Sequence, residues 1–171
     1  MELIALLIIL ALPIGAILAF ATPVLVRGGP YVATSHPSVA QAIQLAQIAT
    51  GEMFIDLGSG DGRLVVAAAQ LGAHATGYET NPWLVLKSRR LIARANLTKK
   101  AHIIWGNLWR ADLTKADVLS VFILPNLLAD LEKKFDRELE PGTRVVTIGW
   151  PLPNWPIKKT IGKVFLYQKN S

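Results

Sequence analysis

The chain has 171 residues, which is enough for one domain with a hydrophobic core and a short additional segment. It contains no cysteine, which excludes disulfides and thiolate metal sites. The net charge of +6 suits an anionic partner such as a membrane leaflet, and no aromatic–basic motif typical of nucleic-acid binding occurs. The three histidines lack metal-ligand spacing, so no metal site is expected.

The first 26 residues are predicted to be a transmembrane anchor. Residues 3–26 carry no charge, and as one helix they would span about 36 Å, compared with about 30 Å of bilayer hydrocarbon. A secretory signal peptide is the alternative, because Ala19-Phe20-Ala21 resembles a cleavage site, but no basic residue precedes the apolar run. The first basic residue is Arg27, so the positive-inside rule predicts a single-pass membrane protein whose C-terminal domain is cytoplasmic.

A domain of alternating strands and helices is predicted to follow. Residues 27–37, rich in glycine and proline, indicate a linker, and residues 38–171 form the domain. Strands are predicted at 53–57, 75–78, 101–105, 117–124 and 143–150, with one or two more in 158–169, and helices at 38–49, 61–71, after Asn81-Pro82 and at 126–138. This order predicts a Rossmann-like, doubly wound, mostly parallel α/β sheet with its ligand site at the carboxyl ends of the strands.

Two segments of this domain carry more detailed predictions. Residues 108–116, between the third and fourth strands, are too few for a full helix. In the helix at 126–138, the periodicity points Leu127, Leu131 and Phe135 inward and an Asp130–Lys134 pair outward.

A glycine-rich turn, DLGSGDG at 56–62, follows the first strand and opens a helix. Its spacing is G-x-G-x-G, whereas dinucleotide-binding loops have G-x-G-x-x-G, and acids lie before and within it. Carboxylates repel a pyrophosphate but attract a cation, so the turn favours S-adenosylmethionine (SAM), which carries a sulfonium and an ammonium. The residues expected to contact this cofactor are Asp56, Gly58, Ser59, Gly60 and Asp61.

Polar residues also end the second and third strands. Glu79 is placed to accept hydrogen bonds from both ribose hydroxyls, and Asn107 to meet the adenine edge. Each taken alone could be an ordinary strand end or turn residue. Together with the glycine turn they predict a SAM site.

The segments DLGSGDGR, GYE and WGN resemble motifs of class I, seven-strand SAM-dependent methyltransferases. More narrowly, PYVATSHP, FILPN and LEKKFDRELEPGTRVV resemble a protein-lysine methyltransferase family, across about residues 30–155. That family includes archaeal broad-specificity enzymes and membrane-anchored mitochondrial enzymes that modify the ATP synthase c subunit and the adenine nucleotide translocator. The resemblance implies a lysine-bearing protein substrate that is in the membrane or associated with it.

Three further residues are assigned to the predicted site. Asn126, after the fourth strand, is expected to orient the substrate amine, or else to cap the helix that follows. The resemblance implies that Tyr31 and Thr34 belong to a lid, Tyr31 beside the reaction and Thr34 on the cofactor, unless this segment is only a linker.

Two other functions remain open at this point. One is methylation of a small molecule or lipid at the membrane, and the other is a non-catalytic SAM-binding module. Nucleic-acid amino methylation is less consistent with the sequence, because LPNLL stands where those enzymes have an Asn/Asp-Pro-Pro-aromatic turn.

Overall fold

The computed structural model describes residues 34–170. The predicted anchor, most of the linker and Tyr31 therefore lie outside the described residues. Within 34–170, no helix has the length and apolar character needed to cross a bilayer. The helices are α1 (His36–Ala46), α2 (Arg63–Gln70), α3 (Pro82–Arg94) and α4 (Leu128–Glu138). The strands are β1 (Met53–Leu57), β2 (His74–Glu79), β3 (Ala101–Trp105), β4 (Val118–Val121), β5 (Arg144–Ile148), β6 (Lys159–Ile161) and β7 (Val164–Gln168).

The seven strands form one sheet in the order β3-β2-β1-β4-β5-β7-β6. Strands β1 to β5 run parallel to one another, whereas β7 pairs antiparallel with both β5 and β6. The mostly parallel α/β sheet predicted from the sequence is confirmed. The strand order switches between β1 and β4, because the chain proceeds from β1 outward to β3 and then crosses to β4 on the other side of β1. In such sheets the ligand crevice lies beyond the carboxyl ends of the strands at this switch point.

Two hydrophobic cores cover the two faces of the sheet. Helices α1, α2 and α3 pack on one face through residues such as Leu45, Val65 and Ile92. Helix α4 and the segment after β3 pack on the other, through residues such as Leu131 and Leu113. That segment has only one 3₁₀ turn, Leu108–Arg110, as its length predicted.

The charged residues of α4 differ from the prediction. Leu131 and Phe135 are fully buried, as expected, but Lys134 is only 4% exposed. Its Nζ donates to the carbonyl of Ala111, at 2.7 Å, and to Glu138, while the exposed Asp130 accepts from Lys133 instead. The predicted Asp130–Lys134 pair is therefore wrong. Position 134 lies one helical turn after Leu131, on the buried side of α4. There the Ala111 carbonyl, in the irregular segment that covers α4, needs a hydrogen-bond donor, and Lys134 supplies it.

Candidate active site

The predicted site residues that the structure describes lie at the carboxyl edge of the sheet. The glycine loop follows β1, Glu79 ends β2, Asn107 follows β3 and Asn126 follows β4. Because these four strands are adjacent in the order β3-β2-β1-β4, the sheet brings together residues that are far apart in sequence.

The glycine loop is held against the end of β2 by backbone hydrogen bonds. The N–H groups of Gly58 and Ser59 both donate to the Tyr78 carbonyl at 2.9 Å. The loop ends at Gly62, whose φ is 81° and where a Cβ would lie 2.6 Å from the Ser88 Cβ of α3. A glycine at this position therefore allows the loop to turn and α2 to approach α3 closely.

The space next to Gly58 in this loop is open to a ligand. At Gly58, also with positive φ, a Cβ would meet no atom within 4 Å. The adjacent Ser59 has a buried Oγ for which the described residues provide no hydrogen-bond partner. The open space at Gly58 fits a bound nucleoside of the kind the sequence predicts, whereas the Ser59 Oγ is buried against Gly77 of β2.

Glu79 links the loop to the start of α3. One carboxylate oxygen accepts from the Gly60 N–H at 2.9 Å, and the other accepts from the Asn81 N–H at 2.8 Å. A carboxylate oxygen can accept a second hydrogen bond, so both oxygens retain capacity for the two hydroxyls of a ribose. Its role as the ribose ligand stays a prediction that this geometry permits.

Asp56 is 3% exposed and lies within the sheet, in register with Gly77 of β2 and Ser120 of β4. Burial raises the pKa of Asp56 to about 7, and the nearby Glu79 acts in the same direction, whereas the hydrogen bond from Ser120 Oγ, at 2.5 Å, opposes the rise. The sequence analysis did not find Ser120, although a lone serine in an apolar strand was a signal for it.

The charge of Asp61 is offset by two basic side chains. Arg63 Nε and Nη2 donate to its two oxygens at 2.8 and 2.7 Å, and Lys87 of α3 donates at 3.2 Å. These partners, Arg63 first, lower the pKa of Asp61 to about 2. The same guanidinium donates from Nη1 to the Thr34 carbonyl at 2.5 Å, which attaches the start of the described chain to the glycine loop.

Asn107 accepts from the Trp109 N–H at 3.0 Å and so caps the short 3₁₀ turn. Its Oδ1 is therefore engaged, and the Nδ2 donors are the part of this amide that could meet an adenine acceptor.

Asn126 lies in a second 3₁₀ turn, Pro125–Leu127, and is exposed. The N-cap position of α4 is held by Leu127, which makes no side-chain capping hydrogen bond, so the alternative assignment of Asn126 as a helix cap is wrong. Among residues 34–170 its side-chain amide has no hydrogen-bond partner, which leaves both polar atoms available in the turn that follows β4. Across the same residues no group of three or more His, Asp or Glu side chains could hold a metal ion.

The fold is that of the class I, SAM-dependent methyltransferases. The solved structure of an RNA methyltransferase from Salinibacter ruber, in complex with S-adenosyl-L-homocysteine, superimposes with a TM-score of 0.78 at 30% identity, covering 81% of this chain and 94% of that one. A ribosomal protein L11 methylase from Lactobacillus delbrueckii subsp. bulgaricus shares the fold, with a TM-score of 0.66 at 20% identity. The predicted cofactor, SAM, is confirmed.

Within that class, residues 56–159 match the ANTKMT methyltransferase domain, and the chain belongs to that family. It is 37% identical over 134 residues to the ATP synthase c-subunit lysine N-methyltransferase of Rattus norvegicus, covering 78% of this chain and 62% of that protein. It is 41% identical over 135 residues to the adenine nucleotide translocase lysine N-methyltransferase of Mus musculus, covering 78% and 58%.

An archaeal relative is matched over more of its length. The protein-lysine N-methyltransferase of Saccharolobus islandicus is 33% identical over 134 residues, covering 77% of this chain and 83% of that protein. The chain thus spans less than two thirds of the two mammalian relatives and most of the archaeal one.

Proposed function

We propose that this chain is a protein-lysine N-methyltransferase anchored in a membrane by residues 3–26, with its catalytic domain on the cytoplasmic side. Its substrates are lysines of proteins that lie in or on that membrane. The relatives named for lysine methylation support the reaction. The uncharged run at 3–26 and the bases that follow it support the membrane location.

The observation that carries the reaction is the position of Asn126. Its exposed amide lies in the 3₁₀ turn five residues after β4, and β4 pairs with β1, the strand that leads into the open glycine loop. A neutral amide oxygen can accept an N–H from a lysine amine without competing for its proton. Asn126 thereby turns the nitrogen lone pair toward the reaction without acting as a base.

The protein's contribution to catalysis is chiefly positioning. Bound SAM supplies an electrophilic methyl group on a sulfonium. Glu79 and the glycine loop hold the nucleoside, and Asn126 holds the amine, so that the two reactants meet in line. The amine must be neutral to react, and the proton it loses passes to solvent.

The test uses full-length protein, tritiated SAM and a membrane extract, with hydrolysis of the labelled bands to identify the modified amino acid. Asn126→Ala should leave the affinity for S-adenosylhomocysteine unchanged and lower kcat about 10- to 100-fold, because orientation is lost. Glu79→Ala should instead weaken that affinity about tenfold or more. The matched control is Asn170→Ala, which changes an exposed asparagine outside the site. Label on an amino acid other than lysine would contradict the proposal.

A second candidate is RNA methylation, which the likeness to the Salinibacter ruber RNA methyltransferase favours. The same extract separates the two functions, because ribonuclease removes label from RNA and protease removes it from protein. Label that partitions into organic solvent would indicate a lipid acceptor.

A further inference from the structure

The exposed tryptophans of the chain gather at one edge of the sheet. Trp83 is 68% exposed in the first turn of α3, just after β2, Trp105 is 66% exposed at the end of β3, and Trp150 is 48% exposed just after β5. All three lie at the carboxyl edge. The other two, Trp109 and Trp155, are partly buried and pack against the core.

The same edge carries further apolar surface and several cations. Leu124, after β4, is also exposed. Lys87 lies one turn after Trp83 on α3, and Arg110 ends the turn after β3. Lys163 lies in the turn between β6 and β7, and its backbone carbonyl accepts a hydrogen bond from the N–H of Gly149, the residue before Trp150. Two acids at this edge have their charge shielded, because Glu79 is buried and Asp61 is paired with Arg63 and Lys87.

The row of tryptophans is long enough to contact a flat surface. The five parallel strands from β3 to β5 lie about 4.8 Å apart, so the row spans about 19 Å. Tryptophan rings with free N–H groups and nearby lysine and arginine side chains are the residues that settle at the headgroup level of a bilayer. The indole N–H groups of Trp83 and Trp150 have no partner among the described residues, whereas that of Trp105 donates to the Thr80 carbonyl.

The first described residues also lie at this edge. The Thr34 carbonyl is bound by Arg63 at the start of α2, and His36 shares a cleft of about 640 Å³ with Trp83 and Lys87. In the sequence, Thr34 follows the uncharged run at 3–26 by eight residues.

The geometry points to a lipid-facing role for the carboxyl edge: Trp83, Trp105 and Trp150, with Lys87, Arg110 and Lys163, rest on the surface of an anionic bilayer. This inference rests on the proposed function and refines it. The open face of the site is then turned toward the headgroups. Its substrate class is lysines at the membrane–water boundary, and lysines far from the bilayer are reached poorly.

The first test measures contact with lipid directly. Full-length protein is reconstituted in vesicles of phosphatidylcholine with about 30% phosphatidylglycerol, with and without acyl chains brominated near the headgroup, and quenching of tryptophan fluorescence is recorded. The double variant Trp83→Phe/Trp150→Phe should lower the quenched fraction clearly, with Trp105 accounting for the remainder, and Leu71→Ser, at the opposite edge, should keep the wild-type value. Equal quenching in wild type and the double variant would overturn the inference.

The second test measures methylation of one lysine peptide in two forms, free in solution and fused to a membrane-spanning helix that holds the lysine at the surface. Trp83→Ser/Trp150→Ser should lower kcat/KM for the membrane-held form about tenfold and change it less than about twofold for the free form. Trp105 is left in place because its indole N–H donates to the backbone carbonyl of Thr80, which lies between Glu79 and Asn81, so a change there would disturb the site itself. Leu71→Ser is the control in both assays.

The outcomes separate the inference from the function it rests on. An equal loss on both peptides shows that these tryptophans bind the protein substrate and overturns the lipid assignment while the methyltransferase stands. No methylation of either peptide by wild type, with quenching as expected, contradicts the proposed function but not the lipid contact. Affinity for S-adenosylhomocysteine verifies that each variant is folded.

Discussion

Two glycines of the same loop serve different purposes, although their backbone angles are nearly equal. The φ values of Gly58 and Gly62 are 80° and 81°. A Cβ at Gly62 would collide with Ser88, whereas one at Gly58 would enter open space. Close packing of α2 against α3 therefore depends on Gly62, and access of a ligand to the loop depends on Gly58.

This difference predicts opposite effects of two alanine substitutions. Gly62→Ala should lower the free energy of unfolding by about 3 kcal/mol, and Gly58→Ala by about 1 kcal/mol, because only the first adds a clash to the strain of positive φ. Gly58→Ala should weaken binding of S-adenosylhomocysteine more than its small loss of stability explains. Urea denaturation and calorimetry measure the two effects. Ser88→Gly should partly rescue Gly62→Ala, and no rescue would contradict the clash.

Asp56 makes folding stability depend on pH. Its pKa is raised from 3.8 to about 7 by burial, so the folded protein retains a proton that the unfolded chain releases. Between pH 4 and 7 the folded state binds more protons, and the free energy of unfolding falls as pH rises, by up to about 1.4 kcal/mol per pH unit. Above pH 7 this contribution is constant.

Asp56→Asn should abolish that decline. Denaturant midpoints of wild type and variant, measured from pH 4.5 to 8 in detergent, should converge at low pH and separate as pH rises, with the variant more stable at pH 8. Ser120→Ala, which removes a hydrogen bond to the carboxylate, should extend the decline to higher pH. Parallel profiles of wild type and Asp56→Asn would show that Asp56 does not titrate in this range.

At the scale of the elements, α4 holds the proline-rich loop after β5 in place. The carboxylate of Glu132 is buried and accepts from both the backbone N–H of Asn154, at 3.0 Å, and its side-chain amide, at 2.8 Å. Trp155 of the same loop packs edge-on against Phe135 of α4, with ring centroids 6.2 Å apart. The loop that begins beside Trp150 is thus positioned by a helix on the second face of the sheet.

Removing this anchor should destabilise the protein. Glu132→Ala leaves two donors without a partner and should lower the free energy of unfolding by about 2 to 3 kcal/mol. Asp130→Ala, on the same helix, removes only an exposed pair with Lys133 and should change it by less than about 0.5 kcal/mol. Urea denaturation gives both values, and an equal effect of the two changes would contradict the anchoring role of Glu132.

The elements also show how far sequence analysis extends. The bounds of β1 and β3 were predicted residue for residue, because each is an apolar run between residues that end strands. Contacts between distant segments were not predicted. Asp56 meets Ser120 across 64 positions, and Asp61 meets Lys87 across 26. The buried Lys134 was missed because its acceptor, the Ala111 carbonyl, lies in an irregular segment whose path the periodicity does not specify.

For the molecule as a whole, the position of the predicted site residues at one edge is observed, whereas their contacts with ligands are not. Sheet order alone brings Gly58, Glu79, Asn107 and Asn126 to one edge, which the alternation of strands and helices predicted. Their individual contacts with cofactor and substrate stay predictions.

The proposed anchor has a direct test, because two charges at the centre of a membrane helix cost several kcal/mol, while charges at the end of the helix reach the membrane–water interface.

Full-length protein should therefore remain with the membrane pellet after an alkaline carbonate wash. Ile14→Lys/Ile17→Lys, at the middle of residues 3–26, should release most of it into the supernatant. Leu25→Lys/Val26→Lys adds the same charge at the end of the run and should leave the protein in the pellet. Release of wild type by the wash would contradict a membrane-spanning anchor.

The guanidinium of Arg63 joins the Thr34 carbonyl to the carboxylate of Asp61, so the place where the chain enters the domain and the glycine loop share one side chain. Such a connection transmits free energy in both directions. Ordering of the glycine loop by a ligand is therefore expected to order the first described residues at Thr34 as well, so that binding at the loop extends its effect to a segment that lies outside the loop.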